Sequence, residues 1–364
     1  MQNFYSTEKI DKKGADINII FGERGPGKTF ALLEKAIRHY WETGRQSAYI
    51  RRLKDEIDGE KKTDIFEGVV SVGKISEITE DTWDNVVVRG SKVYLAKYDS
   101  DADSMKKDST PFMHIFAISQ QAKYKSTNFP DVDIIILDEF LTRDGEIVGE
   151  WSKYQNLLST IIRRRDDVKI YLLGNTVNRD SVYFENYGIR DTVRKMKPGD
   201  LKTVKSQGGA LLAIEYTKPL AAAQKSAKYF DFGDSVGQMI MEGGWETERY
   251  PRPPKFDKKD IYFTYFIIYL DRVLQVDMVA TSEKLFSVVH RKTTAIKDPD
   301  RDYIFSLRYD PRTNWHVKMN RKYDKMSQPI YDDIQGARVY FTDADTGEAF
   351  KNFYEKSIIS TFYA

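Results

Sequence analysis

The sequence contains no cysteine. Disulfide bonds and thiolate metal sites are therefore excluded, and nothing in the sequence argues for a secreted protein. Histidine is also scarce, since there are only four, and their positions do not follow the spacing of metal ligands. The chemistry of this chain must be sought in other residue types.

Long apolar runs are absent as well. The longest strongly apolar stretch, residues 265–270, is far too short to span a bilayer, and residues 1–20 do not have the pattern of a signal peptide. We therefore expect a soluble, cytoplasmic protein with no membrane partner. The formal net charge is only +2. That value neither requires nor excludes a nucleic-acid partner, because a local basic patch is sufficient to hold DNA.

The 364 residues are enough for two domains. In the first half, short apolar stretches typical of buried strands alternate with amphipathic stretches typical of helices. We predict strands at 17–21, 47–53, 114–119, 133–137 and 169–173, helices at 28–42 and 151–165, and a charged loop at 99–110. This alternation predicts an α/β fold with a mainly parallel sheet and helices on both faces.

The pattern changes in the second half. Prolines at 251, 253 and 254 are followed by a region in which strands dominate, including 261–270. We predict an α/β domain over residues 1–217, a linker over 218–250 with a short helix at 221–229, and a smaller β-rich domain over 251–364.

A phosphate-binding loop follows the first predicted strand. It matches the pattern G-x-x-x-x-G-K-[ST] in full, through Gly22, Glu23, Arg24, Gly25, Pro26, Gly27, Lys28 and Thr29. Its glycines let backbone N–H groups surround a phosphate, and the helix that follows adds its N-terminal dipole. We expect Lys28 to reach the β- and γ-phosphates and the Thr29 hydroxyl to bind Mg²⁺. ATP and Mg²⁺ are therefore the expected ligands.

The second half of the predicted site is the strand that ends in Asp138 and Glu139. A buried strand directs Asp138 toward Thr29 and the metal, and Glu139 lies at the carboxyl edge of the sheet, where a carboxylate can polarise an attacking water. A small-molecule kinase does not need this glutamate. The sequence also lacks a guanine-reading Asn-Lys-x-Asp motif. Hydrolysis of ATP is the favoured reaction.

Other polar residues have two open interpretations each. Asn175 is either a turn residue or a sensor of the γ-phosphate. Arg163, Arg164 and Arg165 either place positive charge at the end of a helix or supply an arginine finger to a neighbouring subunit. Arg24 contacts phosphate, a neighbour or an acid. Lys123 and Lys125 are either ordinary loop lysines or contacts to nucleotide or DNA.

The order and spacing of several sequence blocks resemble the DNA-packaging ATPases of small podophages (the picovirus type). These blocks are FGERGPGKT from residue 21, AYIRR at 48–52, KSTNFPDVDIIILDEF at 125–140, Arg163, and LLGNTVN at 172–178. The resemblance covers about residues 15–180. It implies an ASCE-type P-loop ATPase domain, in which Arg163 is the leading trans-acting arginine and Lys125 a second trans-acting candidate. It also implies a degenerate RNase H-like fold for the C-terminal domain.

The same resemblance implies partners and a place of action. The expected function is ATP-driven translocation of double-stranded DNA into a preformed capsid, by a homo-oligomeric ring of five subunits at the portal vertex in the host cytoplasm. The portal, the capsid and, in some relatives, a structural packaging RNA are the implied partners. Two alternatives stay open: a terminase with an active C-terminal nuclease, and another ring-forming ATPase such as a helicase.

Overall fold

The computed structural model describes residues 5–25, 27–142, 146–176, 180–206, 208–218 and 250–359. The chain divides into two compact units, Met1–Glu246 and Thr247–Ala364. Nearly all of the predicted linker, including the predicted helix at 221–229, lies outside the described residues. Within the described ranges, each helix is too short or too polar to cross a membrane.

The first unit contains eight described helices and ten described strands. The helices are α1 (Glu8–Asp11), α2 (Lys28–Thr43), α3 (Lys61–Asp64), α4 (Glu67–Ser71), α5 (Lys74–Ile78), α6 (Glu150–Ile162), α7 (Val182–Asn186) and α8 (Arg190–Lys195). The strands are β1 (Ile17–Gly22), β2 (Gln46–Arg51), β3 (Asn85–Arg89), β4 (Lys92–Asp99), β5 (Ser104–Lys107), β6 (Met113–Ala117), β7 (Val132–Asp138), β8 (Lys169–Asn175), β9 (Leu201–Lys205) and β10 (Leu211–Tyr216).

The ten strands form one sheet in the order β3-β4-β6-β2-β7-β8-β1-β10-β9, with β5 paired to β4. The six central strands, from β6 to β10 in this order, are parallel to one another, and each outer strand is antiparallel to its neighbour. The predicted α/β class with a mainly parallel sheet is therefore confirmed. One strand, β8, separates the strand before the phosphate-binding loop from the strand that ends in Asp138, as expected for an ASCE-type domain.

Helices cover both faces of this sheet because the central strands are apolar on both faces. In β1, Ile20 packs into one hydrophobic cluster with Leu32, Leu33 and Ile37 of α2. Its neighbours Ile19 and Phe21 point the other way, since successive side chains in a strand alternate, and pack with Tyr154, Leu157 and Ile161 of α6. The two clusters pack against the central strands from both faces. Because these strands are parallel, the carboxyl ends of β1, β7 and β8 lie along one edge of the sheet.

Two predictions about the first unit were wrong in detail. The predicted helix at 151–165 ends at Ile162, because Arg163 has a left-handed backbone φ of 58° that no helix can continue through. The charged stretch at 99–110, which we predicted to be a loop, contains β5, an entirely exposed strand. Its pairing with β4 supplies backbone hydrogen bonds that side-chain periodicity does not reveal.

The second unit is built on a six-stranded sheet in the order β15-β14-β11-β12-β13-β16. The strands are β11 (Ile261–Tyr269), β12 (Arg272–Ala280), β13 (Leu285–Lys292), β14 (Tyr303–Ser306), β15 (Trp315–His316) and β16 (Val339–Phe341). The strands β11, β12 and β13 are antiparallel, whereas β14 lies parallel to β11 on its other side. The C-terminal domain is β-rich, as predicted.

The sequence did not reveal the two helices of this unit, α9 (Ser327–Gln335) and α10 (Ala344–Ile359). Pro329 in α9 resembles a break, but it occupies the first turn of the helix, where a missing N–H costs nothing. Glycine inside α10, at 347, weakens its helical pattern. Tertiary packing overrides both signals, since Ile330 of α9 and Phe350 and Phe353 of α10 join the core of the sheet.

Candidate nucleotide-binding site

The phosphate-binding loop turns from the end of β1 into the start of α2. At Gly22, an added Cβ would lie 1.9 Å from the Thr217 hydroxyl oxygen, so only glycine allows this close approach. At Gly27, which caps α2, the backbone φ is 86°, a left-handed value that glycine adopts without strain. Pro26 lies outside the described residues. The described glycines thus occupy positions that the turn requires.

Lys28 is buried at the base of this loop, with 6% of its surface exposed. Its Nζ donates to the backbone oxygen of Glu23 at 2.6 Å and to Oδ1 of Asn175 at 3.3 Å. Burial lowers the pKa of Lys28 to about 8, although the carboxylates of Asp138, Glu23 and Glu139 oppose that shift. Asn175 ends β8 and is registered beside Gly22, so the strand end that we predicted holds the ammonium group.

Thr29 and Asp138 are brought together, as the sequence predicts for a magnesium site. The Thr29 hydroxyl donates to Oδ2 of Asp138 at 3.0 Å, and the Tyr49 hydroxyl donates to the same oxygen at 2.6 Å. Tyr49 is fully buried in β2, beside β7. One hydroxyl and one carboxylate fit Mg²⁺, which keeps several waters and takes its remaining ligands from substrate phosphates. The sequence did not assign Tyr49 a role.

Glu139 is engaged by a cation that the sequence did not assign to it. Nη2 of Arg51, at the end of β2, lies 2.6 Å from Oε2 of Glu139. Arg51 also pairs with Glu56 at 3.2 Å and lies 3.7 Å from Asp138. The backbone of Glu139 is left-handed, with a φ of 55°, and its side chain is 46% exposed. Only the adjacency of β2 and β7 identifies this pair, because 88 residues separate Arg51 from Glu139.

The neighbouring residue, Arg52, has a different environment. Its guanidinium makes two hydrogen bonds, of 2.7 and 2.8 Å, with the carboxylate of Glu150, and both side chains are buried. Glu150 also accepts a hydrogen bond from the Tyr183 hydroxyl at 2.9 Å. This paired charge joins the end of β2 to the first residue of α6. It therefore fixes the direction in which α6 leaves the nucleotide site.

Arg163 follows the far end of α6. The helix has 13 residues, so Arg163 lies about 20 Å along the helix from Glu150. Its Nη2 donates to the backbone oxygen of Thr127 at 3.1 Å, which places it beside the turn that carries Lys125. The structure therefore brings Arg163 and the Lys125 turn together, and α6 carries Arg163 away from the loop of its own subunit.

The three arginines of this run have different surroundings. Arg165 is half-buried and donates to the backbone oxygens of Phe129 and Ile161 and to Asp133. Arg163 and Arg164 are exposed, as is Lys125. Arg24, in the loop at the opposite edge, is also exposed and makes no hydrogen bond or ion pair with any described residue. Arg165 therefore has a structural role.

Comparison with known proteins gives the family. The model of the podovirus DNA encapsidation protein (Gp16) matches residues 1–197, just over half of the chain. The chain belongs to that family. The resemblance carried by its sequence blocks is confirmed, and so is viral DNA packaging as the function it implies.

A sequence relative agrees with this assignment. The chain is similar to the DNA packaging protein of Bacillus phage PZA, with 27% identity over 271 residues and 73% of each chain covered. Two solved structures have the same fold. One is the bacteriophage Phi-29 viral genome packaging motor assembly, with 18% identity, 98% of each chain covered and a TM-score of 0.58. The other is the Phi-28 gp11 DNA packaging motor, with 17% identity, full coverage of both chains and a TM-score of 0.55.

Proposed function

We propose that this chain is the subunit of an ATP-driven motor that moves double-stranded DNA into a preformed viral capsid. The observation that carries the proposal is the contact of Thr29 with Asp138, which are 109 residues apart in the sequence. These are the two protein groups that hold Mg²⁺ in a P-loop ATPase. In a protein of a DNA encapsidation family, such a site supplies the energy for moving DNA.

We assign the chemistry of the site as follows. Lys28 and the backbone of the loop from Gly22 to Thr29 bind the phosphates, and Asn175 orients the Lys28 ammonium group. Thr29 and Asp138 would hold Mg²⁺, which would supply positive charge next to the transferred phosphoryl group. Glu139 accepts a proton from, or orients, the attacking water.

We propose that Arg163 and Lys125 complete the site of a neighbouring subunit. One end of α6 is anchored through Arg52 beside the nucleotide site, and Arg163 lies about 20 Å away at its other end. An arginine side chain is too short to return over that distance. A catalytic contribution from Arg163 therefore requires a second copy of the chain, which supports a homo-oligomeric ring, with five subunits as the expected number.

The two compact units have different roles in this proposal. We assign ATP hydrolysis to residues 1–217 and contact with DNA, portal or capsid to residues 251–364, joined by a linker over 218–250. The partners of the motor would be duplex DNA, the portal and the capsid, with a structural packaging RNA as a further candidate. Its place of action would be the portal vertex, in the host cytoplasm.

An inactive C-terminal domain fits this proposal better than an active nuclease. The described residues contain no group of three or more His, Cys, Asp or Glu side chains placed to hold a metal ion. Asp277 on β12 is engaged by Thr264, Gln275 and His290 at 2.8, 2.9 and 2.9 Å. Asp333 is buried and bonded to Ser287 and Arg338. These contacts give both acids structural roles.

The direct test is packaging in a purified system. Empty capsids, a packaging RNA, the chain, ATP, Mg²⁺ and linear duplex DNA would be mixed, and DNA protected from added nuclease would be measured. We expect protection that requires ATP and is lost with Lys28→Ala or Glu139→Gln. ATP hydrolysis without protected DNA, in the presence of competent capsids and the packaging RNA, would contradict translocation and favour another ring-forming ATPase.

A further inference from the structure

A cavity of about 170 Å³ opens in the C-terminal unit, outside every site described above. It lies beside β15 and the segments on either side of it. The side chains that matter for its chemistry are Arg308, Tyr309, Trp315, His316, Lys318 and Arg321. The residue types are cationic and aromatic, a combination that recurs where proteins bind single-stranded nucleic acids.

Three cations around this cavity have no acidic partner among residues 250–359. These are Arg308 and Arg321, which are exposed, and Lys318, which is half-buried. Arg312 differs, because its guanidinium is neutralised by Asp300 at 2.7 Å and by Asp310 at 2.8 Å. That pairing also occupies the carboxylate of Asp310, which lines the cavity. An excess of positive charge remains, and it favours an anionic ligand.

The wall of the cavity contains a buried polar atom without a partner. His316 is 8% exposed, and its ring lies between those of Tyr303 and Tyr323, with centroids 4.3 Å away on each side. Its Nε2 is buried and makes no hydrogen bond. Burial lowers the pKa of His316, so the ring is neutral near pH 7. Because Nε2 is buried, the ring contributes a fixed wall to the cavity, and this nitrogen is not accessible for hydrogen bonding.

Aromatic surface is available at the same place. Tyr309 is 71% exposed, an unusual state for a large ring. The Arg312 guanidinium stacks over the Trp315 ring at 4.4 Å, which holds that indole in position. An exposed ring beside cations that have no acidic partner can stack on a nucleobase while the cations bind its phosphate.

We propose that this cavity binds an unpaired nucleotide of a single-stranded nucleic acid. Its phosphate would contact Arg308, Lys318 and Arg321, and its base would stack on Tyr309. A base inside a duplex is already stacked and paired, so a duplex presents only phosphates here. The inference rests on the proposed function only in that the chain acts on nucleic acid.

The test compares the full chain with four variants, using fluorescence anisotropy at one fixed salt concentration. The probes are single-stranded RNA, single-stranded DNA and duplex DNA of the same sequence and length. Tyr309→Ala removes the stacking surface and Tyr309→Phe keeps it. Two variants are matched controls from outside the cavity: Tyr262→Ala for an exposed aromatic residue and Arg301→Ala for an exposed cation.

We expect Tyr309→Ala to weaken binding of one or both single strands by about 5- to 100-fold, the usual effect of losing one stacked base. Tyr309→Phe and the two controls should bind as the unchanged chain does, and duplex affinity should not depend on Tyr309. The strand that loses affinity identifies the source of the nucleotide. Equal binding of both single strands by Tyr309→Ala and the unchanged chain would overturn the proposal, as would an equal loss for the duplex.

This test is independent of the ATPase proposal. Tyr309 lies in the C-terminal unit and has no place in the nucleotide site, so ATP hydrolysis without DNA should be unchanged in every variant. Loss of single-strand binding with normal hydrolysis would support the cavity alone. Normal single-strand binding in a chain that does not hydrolyse ATP would contradict the ATPase proposal and leave the cavity supported.

Discussion

Arg51 and Glu139 are joined by an ion pair of 2.6 Å between Nη2 and Oε2. The pair restrains the residue that we assign to water activation. An ion pair of this kind opposes rotation of the carboxylate toward an attacking water, because the rotation would separate the two charges. The left-handed backbone of Glu139, at a φ of 55°, is uncommon for a non-glycine residue and further defines the position of this side chain. We infer that Arg51 sets the resting position of Glu139.

The first prediction separates the roles of these two residues. Glu139→Gln should keep ATP affinity and slow hydrolysis by about 10²–10⁴-fold, the usual contribution of a general base. Arg51→Met should raise hydrolysis in the absence of DNA by about 2- to 5-fold, since a half-exposed ion pair contributes up to about 1 kcal/mol. Steady-state kcat and KM would be measured for both variants.

The double variant is the control for this interpretation. If Arg51 acts through Glu139, Arg51→Met combined with Glu139→Gln should have the kcat of Glu139→Gln alone. A further change in the double variant, or a lower kcat for Arg51→Met by itself, would mean that Arg51 acts elsewhere in the site.

The second prediction concerns a shared active site. Arg163→Ala should bind ATP but lose about 10³–10⁵-fold in turnover, the range measured for arginine fingers. Mixing it with Glu139→Gln subunits should restore part of the activity, at interfaces where one subunit supplies the arginine and the other supplies the glutamate. Arg164→Ala is the matched control and should retain activity. Absence of rescue at every mixing ratio would count against a shared site.

A third prediction concerns stability. Arg52→Met leaves the carboxylate of Glu150 buried without its charged partner, which should reduce the free energy of unfolding of the first unit by about 3–5 kcal/mol. Lys54→Met is the control, because its ion pair with Asp58 is exposed and should contribute less than about 1 kcal/mol. Urea denaturation followed by tryptophan fluorescence would measure both. Equal effects would show that the buried pair contributes no more than the exposed pair.

The fourth prediction follows from the pKa of Lys28, which burial lowers to about 8. Above pH 8 the free chain therefore carries a mostly neutral Lys28, and the phosphates of bound ATP should raise the pKa again. Binding of Mg-ATP at pH 8.5 should take up a proton, whereas binding at pH 6.5 should take up none at this residue. Isothermal titration calorimetry in buffers of different ionisation enthalpy measures the uptake. The same proton uptake at both pH values would exclude Lys28 as its source.

The fifth prediction is that the chain binds duplex DNA without cutting it. Binding should be salt-sensitive and independent of sequence, as expected from phosphate contacts. Supercoiled plasmid incubated with the full chain in Mg²⁺ or Mn²⁺ should stay intact. An RNase H-like nuclease carries an acid in its leading strand, and β11 contains none. Metal-dependent cutting that disappears on changing Asp271 or Asp277 would revive the terminase alternative.

Sequence predicted the parts of the fold in which local pattern and tertiary packing agree. The strands β1, β7 and β8 are apolar on both faces. The loop from Gly22 to Thr29 is a continuous motif, and its backbone geometry requires glycines. The site halves at Thr29 and Asp138 were also predictable, because parallel strands bring their carboxyl ends to one edge.

Long-range partners were not predictable in the same way. Tyr49, Arg51 and Asn175 meet their partners only because of the strand order β2-β7-β8-β1, which one sequence does not reveal. The end of α6 was misplaced because helical periodicity continues through Arg163, whereas the backbone turns there. Arg165 looked equivalent to Arg163 until its contacts with Phe129 and Asp133 distinguished them.

The length of α6 has a consequence for the order of events in a ring. In the ring that we propose, each subunit presents Arg163 at one end of this helix and its nucleotide site near the other, so the contact between neighbours would be heterologous. Every subunit would then supply Arg163 to the neighbour on one side and receive the Arg163 of the neighbour on the other. The contacts in such a ring would all run in one direction around it before any DNA enters. Hydrolysis in one subunit could therefore influence its two neighbours differently.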